Sequence, residues 1–427
     1  MNSKVTKIEK CRVCENTGLT PILSLGEQFV SDFINNEKEQ GIRAPLELVL
    51  CDSSTGGCGL LQLKHSVTAE TMYKQYWYQS GINKTMQEAL ADIVNKAQQF
   101  VNLKKNDLVL DIGCNDGTLL RAYKQTGLNL IGFDPATNLI PLARKGTTKI
   151  INDFFNAPAF QKEFGSKKAK IITSIAMFYD LNDPNTFVSD ISKILDENGI
   201  WIIQMSYLHD MINQNAFDNI CHEHLEYYSL FSLENLLKRH NLQVVDVEKN
   251  DVNGGSFRIY IAHEKNSTSI ELQNSKNNVS AMREYEKKIG ANEREFYNSF
   301  ANRILQLKVK TVAFIKKEIE NKKTVWVYGA STKGNVLLQY YGLDNKLIVG
   351  AAERNPDKYG KMTVGTHIPI VSEKEAREQN PDYFLLLPWH FLNNFLEREQ
   401  AFLEAGGKFI VPLPKAKVIS SKNEIFI

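Results

Sequence analysis

No apolar run in the 427-residue chain approaches the length of about 18 residues needed to cross a bilayer. The N-terminus, MNSKVTKIEKCRVCENTG, also lacks the apolar centre of a secretion signal. These absences predict a cytoplasmic, reducing setting and no membrane partner. Charge of one sign is missing as well. The 51 basic and 49 acidic side chains leave a net charge of +2 and are interspersed, so nucleic acid is not an expected partner and a small-molecule substrate is. Internal repeats and low-complexity tracts are absent too. The apolar (43%) and charged (23%) fractions are those of a folded globular chain whose length predicts roughly two to four domains.

Cysteine is scarce, six in all, yet Cys11, Cys14, Cys51 and Cys58 fall together near the N-terminus. In a reducing compartment such clustering points to metal rather than disulfide. Cys11 and Cys14 form a Cys-x-x-Cys knuckle. Cys51 and Cys58 are more widely spaced than usual, and Gly56 and Gly57 can fold their loop back to complete a tetrahedral set for a structural Zn2+. Four thiolates leave no open coordination position, so the metal's expected work is to hold a small domain, residues 1–75. The next stretch, YKQYWYQSGINKTM (Tyr73 to Met86), has three tyrosines and a tryptophan with little else apolar. It reads either as an aromatic wall over a site or as packing against the cysteine module.

From Asp107 the pattern alternates strand and helix, as in a doubly wound sheet. The loop Asp111-Ile-Gly-Cys-Asn-Asp-Gly117 lacks the G-x-G-x-x-G spacing of dinucleotide folds. Gly113 allows close backbone approach, while Asp111 and Asp116 would repel a phosphate, so a cationic, phosphate-free ligand fits better. Asp134, ending the next strand, is placed to accept from ribose hydroxyls, and Asp153 ends a third strand near an adenine amino group. After the fifth strand comes FDNICHEHLEYYS, Phe217 to Ser229. His222 and His224 are two apart, not the His-Glu-x-x-His of zinc proteases, so spacing disfavours metal. An acid–base centre and a polar helix start both remain open.

Residues 266–323 read as charged and helical, with Phe296, Phe300, Ile304 and Leu307 on one apolar face. Beyond them, KTVWVYGASTKGNVLLQYYG starts a second strand–turn–helix plan. Its turn, Gly329 to Gly334, offers Ser331, Thr332 and Lys333 at a helix start, where an anion can sit. Glu353 resembles the acidic ribose position of a dinucleotide fold, which makes NAD the rival ligand there.

The loop D-x-G-C-x-D-G followed by the acidic strand end at Asp134 resembles class I S-adenosylmethionine-dependent methyltransferases. Four features narrow the resemblance to sugar C-methyltransferases, which act on nucleotide-linked keto-deoxysugars: the cysteines ending in CGLLQL, YWYQSGIN, FDNICHEHLEYYS and NGGSFRIY. A fifth is the last hundred residues, beginning YGASTKGNVLLQYYG. The resemblance implies an α/β fold in three parts. These are the zinc-binding domain (1–75), a Rossmann-like methyltransferase domain (76–265), and a helical linker with a second Rossmann-like domain (266–427). It implies S-adenosylmethionine held by Asp111, Gly113, Asn115, Asp116, Gly117, Asp134, Asp153, Tyr78 and Ser80. It implies a nucleotide-linked sugar held by Asn253, Ser256, Arg258, Ser331, Lys333 and Asn335. His222, Glu223 and His224 would form the catalytic centre, with His224 as base. The chain departs from the family where Cys221 replaces a tyrosine, and where Tyr179 or Asp180 stands in place of a histidine.

Overall fold

The computed structural model describes residues 5–39, 41–74, 76–267, 275–290 and 293–427. Strand Leu108–Ile112 is buried at every position, which is why it reads as an unbroken apolar run. It lies inside a seven-stranded sheet ordered Leu242–Asn250, Ser256–His263, Leu195–Ser206, Ala169–Ile175, Leu108–Ile112, Asn129–Phe133, Lys149–Ile151. Six strands run in one direction, and Ser256–His263 alone runs antiparallel, to both of its neighbours. The chain leaves Leu108–Ile112 toward one edge and returns on its other side. That reversal opens a crevice at the strands' carboxyl ends, where ligands bind in open α/β sheets.

A second seven-stranded sheet is ordered Ile370–Ser372, Ala351–Glu353, Val325–Tyr328, Tyr383–Leu386, Lys408–Val411, Lys417–Ile419, Glu424–Phe426. Its first five strands are parallel, and the last two are antiparallel additions. The 27-residue helix Arg294–Glu320 precedes it and buries Phe300, Ile304 and Leu307, with Phe296 packed at the margin. The predicted apolar face of that segment is therefore core.

The N-terminal residues form a four-stranded antiparallel sheet ordered Glu226–Tyr227, Leu61–Leu63, Arg43–Cys51, Leu19–Phe29. Its outer strand comes from the His-Glu-His stretch, more than 160 residues from its partner in sequence. Strand Phe33–Ile34 pairs with Met362–Thr363 of the C-terminal part. One apolar core runs from Leu46, Leu48 and Leu50 through Phe217 and Ile220 to Phe300 and Leu337. Separating the parts would expose that core, so the crevice between them has fixed walls. Among the described residues no helix is long and apolar enough to cross a membrane.

Candidate active site

The four N-terminal thiols meet as their spacing predicts. Their sulfurs all lie within 4.8 Å of one another, with Cys14 and Cys51 at 3.3 Å and Cys11 and Cys58 at 3.6 Å. Tetrahedral Zn–S bonds of about 2.3 Å put sulfurs about 3.8 Å apart, so the donor set fits one zinc ion. The wide Cys51–Cys58 loop closes through a single 3₁₀ turn, Ser53–Thr55, capped by Asp52 and left through Gly56 at φ 81°. A Cβ on Gly57 would meet the carbonyl oxygens of Cys51 and Asp52 at 2.6–2.7 Å, so only glycine fits there. The four cysteines form a structural zinc site.

A cavity of about 530 Å³ lies between the two Rossmann-like sheets. At one end strand Leu108–Ile112 lines it with Asp111, and the loop that follows with Gly113 and Asn115. Gly113 has φ 71°, and a Cβ there would press on Met177 Cγ at 3.0 Å. Asp134 accepts from the backbone N–H groups of Asn115 (2.7 Å) and Ala136 (2.8 Å), which fixes its carboxylate at the cavity wall. Asp111 accepts from the Thr173 hydroxyl at 2.6 Å, and burial pushes its carboxyl up to about 7. A cation beside Asp111 would favour its charged form. Asp153 lines the same end with Phe154 and Phe155. A glycine that admits close approach, a fixed carboxylate and aromatic walls fit S-adenosylmethionine.

The aromatic stretch serves both expected purposes. Tyr73, Tyr76, Tyr78 and Ser80 line the cavity, while Trp77 turns its ring edge-on to Phe33 of the N-terminal part at 6.2 Å. Asn115 and Asp116 hold this wall down. Asn115 Oδ1 accepts from Ser80 N and its Nδ2 donates to Tyr78 O, while Asp116 Oδ2 accepts from Gly81 N at 2.7 Å. Asp116 and Gly117 themselves do not line the cavity. Asp116 is turned to the wall segment and to Thr118, and Gly117, at φ 80°, starts helix Thr118–Ala122.

At the other end stand Asp180, Cys221, Glu223 and His224. His224 Nδ1 lies 2.8 Å from the Asn219 carbonyl, which can only accept. The proton therefore sits on Nδ1 and Nε2 carries the free lone pair. Burial, then the Lys333 cation, lowers the ring's pKa to about 3, so it is neutral at physiological pH. The Tyr179 ring packs edge-on against it at 4.3 Å. Burial raises the Glu223 carboxyl, and burial with the charges of Glu223 and Glu226 holds Asp180 well above the carboxylate range. Burial likewise raises the Cys221 thiol, which keeps it neutral.

His222 is elsewhere. It is 2% exposed, does not line the cavity, and bonds through Nε2 to the Ala44 carbonyl at 3.0 Å, so it anchors the stretch to the N-terminal sheet. Local spacing of two on an irregular loop sends the two histidines opposite ways.

The C-terminal domain contributes Ser331, Thr332 and Lys333 from its first turn, and Pro388 and His390 from the loop after Tyr383–Leu386. Ser331 also caps helix Thr332–Tyr341 by accepting from Gly334 N. Ser256 reaches the cavity and donates to Val252 O. Asn253 occupies the preceding turn, and its side chain lies outside the described residues. Arg258 does not reach the cavity. Its guanidinium bonds Gln204 (2.8 Å), Asp92 (2.9 Å) and Glu248 (2.8 Å), and of these Gln204 lines the wall. Asn335 is also turned away, donating to Asp32 O at 3.2 Å across the domain contact. Glu353 accepts from the N–H groups of Arg354 and Asn355 and pairs with Lys358 at 3.4 Å, so its carboxylate is already engaged and off the cavity.

Asn219, Asp218 and the orientation of Asp180 were not singled out from sequence. Asn219 and Asp218 stand inside FDNICHEHLEYYS, but their partners, Lys333 and Trp389, are 114 and 171 residues away.

Three family profiles match the chain: a zinc binding domain over residues 11–73, a methyltransferase domain over 82–247 and a C-methyltransferase C-terminal domain over 251–414. Fold, cavity and profiles define an S-adenosylmethionine-dependent methyltransferase with a structural zinc. The C-methyltransferase NovU of Streptomyces niveus is 30% identical over 430 residues, covering 100% of both chains. A ubiquinone biosynthesis O-methyltransferase of Pelagibacter ubique is 30% identical over 102 residues, 23% of this chain and 42% of that protein. Among solved structures, an S-adenosylmethionine-dependent methyltransferase from Clostridium acetobutylicum ATCC 824 is 13% identical with a TM-score of 0.32, covering 41% of this chain and 91% of that one. The chain belongs to the sugar C-methyltransferase family.

Proposed function

We propose that the enzyme methylates a carbon next to the ketone of a nucleotide-linked keto-deoxysugar, with His224 as the base. The observation that carries this reading is the His224 ring, which donates through Nδ1 to the Asn219 carbonyl and leaves Nε2 as an acceptor in a cavity both Rossmann-like domains line. A carbon beside a carbonyl is a poor nucleophile until it loses a proton, which is the work of a base within hydrogen-bond reach. The bound S-adenosylmethionine supplies an electrophilic methyl group, for which Asp111, Gly113, Asn115 and Asp134 form the cradle, with Asp153 toward the adenine and Tyr78 and Ser80 as the wall.

His224 takes the proton from the carbon, and the electron pair moves toward the ketone oxygen. That oxygen needs a donor. Asp180, whose carboxyl is raised by burial and by Glu223 and Glu226, is a carboxylic acid able to donate there. Cys221, a neutral thiol beside Glu223, leaves the negative charge of the site low. Ser331, Thr332 and Lys333, at the start of helix Thr332–Tyr341, face the cavity and suit the anionic nucleotide portion, while Ser256 lines its side.

The test is incubation with nucleotide-linked 4-keto sugars in deuterated water without S-adenosylmethionine. Deuterium is expected to enter the sugar at the carbon that is later methylated. An accepted substrate that shows no exchange and receives its methyl on oxygen or nitrogen rules the carbon route out.

A further inference from the structure

The 3₁₀ turn Phe217–Asn219 rests on the C-terminal domain through all three of its side chains. The Phe217 ring lies 5.3 Å and 5.6 Å from those of Tyr340 and Tyr341. Asp218 Oδ2 accepts from Trp389 Nε1 at 3.0 Å, and Asn219 Oδ1 accepts from Lys333 Nζ. The carbonyl of Asn219 faces the other way. It collects the His224 ring N–H at 2.8 Å, the Cys221 backbone N–H at 3.1 Å and the Tyr227 hydroxyl at 3.4 Å. The side chain of this residue thus answers to one domain and its backbone to the ring of another.

We propose that Lys333 and Asn219 are positioning residues through which the C-terminal domain holds His224 in the tautomer with Nε2 free to accept a proton. The inference rests on His224 being the base. A carbonyl pointed at Nδ1 admits only the Nδ1–H form, so whatever fixes that carbonyl fixes the tautomer. Tyr179 packs on the ring, and the titratable groups that line the cavity around it are Tyr73, Tyr76, Asp180, Asp218, Cys221, Glu223 and Lys333. Burial keeps the acidic groups of that set neutral or raises them, and Lys333 is the cation among them. Past Lys333, the part-buried His390 is lowered to about 3 by desolvation and by the same lysine. The lysine therefore acts on the ring twice, through Asn219 and through its charge. An ammonium has three donors and one is engaged by Asn219, which leaves the others for an anionic substrate.

The sign of the charge effect is fixed. Lys333 opposes a proton on His224, so removing it lets the ring protonate at higher pH, and the acid limb of the rate profile moves toward neutrality. The experiment is NMR of the full-length zinc-loaded protein with its eight histidines labelled in the ring nitrogens, the His224 signals being identified by their loss in His224→Asn. The parent protein is expected to give one Nδ1–H signature, unchanged between about pH 5 and 8. Lys333→Met is expected to raise the His224 midpoint by about one pH unit or more. Asn219→Ala is expected to yield a mixture of tautomers, and Asn219→Asp, which keeps an acceptor for Lys333, to restore the single one. Lys333→Met alters a part-exposed side chain and carries the test if Asn219→Ala unfolds. A His224 spectrum that is the same in the parent and in Lys333→Met at every pH overturns the proposal. The spectra need no methyl acceptor. A parent protein with the expected signature that gives no carbon exchange therefore rejects the substrate assignment and leaves the positioning roles standing.

Discussion

A His224→Asn variant is expected to bind S-adenosylmethionine as the parent does and to turn over about 10²–10⁴-fold more slowly, the range that a positioned general base contributes. Asparagine is smaller than histidine, and its amide N–H can still meet the Asn219 carbonyl that now receives Nδ1–H at 2.8 Å. The loop should therefore keep its place while the accepting nitrogen is lost. The cofactor cradle of Asp111, Gly113 and Asp134 belongs to other loops at the opposite end of the cavity, so calorimetric affinity for S-adenosylmethionine should stay within a fewfold of the parent. Deuterium exchange and methyl transfer should fall together if one proton abstraction precedes both. A variant that retains a tenth or more of the parent's turnover at neutral pH would remove His224 from the role of base. Loss of cofactor affinity in parallel with turnover would say that the substitution disturbed the fold and not the chemistry.

Removal of zinc is expected to stop the enzyme although no cysteine of the set touches the cavity. The reason is the outer strand Glu226–Tyr227, which pairs with Leu61–Leu63 a few residues after the ligand Cys58. Leu63 N donates to Leu225 O at 2.8 Å, His222 Nε2 bonds Ala44 O, and the Tyr73 hydroxyl donates to Glu223 O at 3.1 Å. Arg12, between the first two thiols, lies 3.8 Å from the buried Glu226 carboxylate. His222, Leu225, Glu226 and Tyr227 thus stand against a sheet whose ends the metal ties together, and Glu223 and His224 are carried between them. A Cys11→Ser variant, or treatment with a strong chelator, should lower the melting temperature and reduce turnover by about 100-fold or more, because structural zinc binding is itself folding free energy of several kcal/mol. Hydrogen exchange should localise the damage, with residues 222–228 losing protection while strands Leu108–Ile112 and Asn129–Phe133 keep theirs. Zinc content by mass spectrometry fixes the stoichiometry. A metal-free protein with unchanged protection at 222–228 and full turnover would show that the N-terminal sheet holds the stretch without its metal.

Much of this site could be read before the fold was known, and the readable parts share a cause. The Cys11/Cys14 knuckle, the glycine loop at Gly113 and the strand-end carboxylate Asp134 each work through a few neighbouring residues, and such local geometry leaves a spacing in the chain. His222 and His224 could not be separated the same way. Both flank one glutamate on an irregular loop, and only the N-terminal sheet, reached through Ala44, draws the first away from the cavity. Arg258 and Asn335 were expected at the substrate and instead hold Gln204 and the Asp32 carbonyl, because a polar side chain carries no mark of which neighbour will satisfy it.

By itself the sequence determined two α/β units, a four-thiol metal module before them, and a polar stretch placed after the fifth strand. Periodic burial and short-range turn geometry dictate these, and both are written residue by residue. Only the tertiary structure decided that the stretch becomes a strand of the zinc-bearing sheet, that Asp180 and Glu223 share one end of a cavity, and that Lys333 reaches Asn219 across 114 residues of chain. Such contacts form between surfaces that are complementary once folded, and a linear pattern has no term for the distance that folding removes.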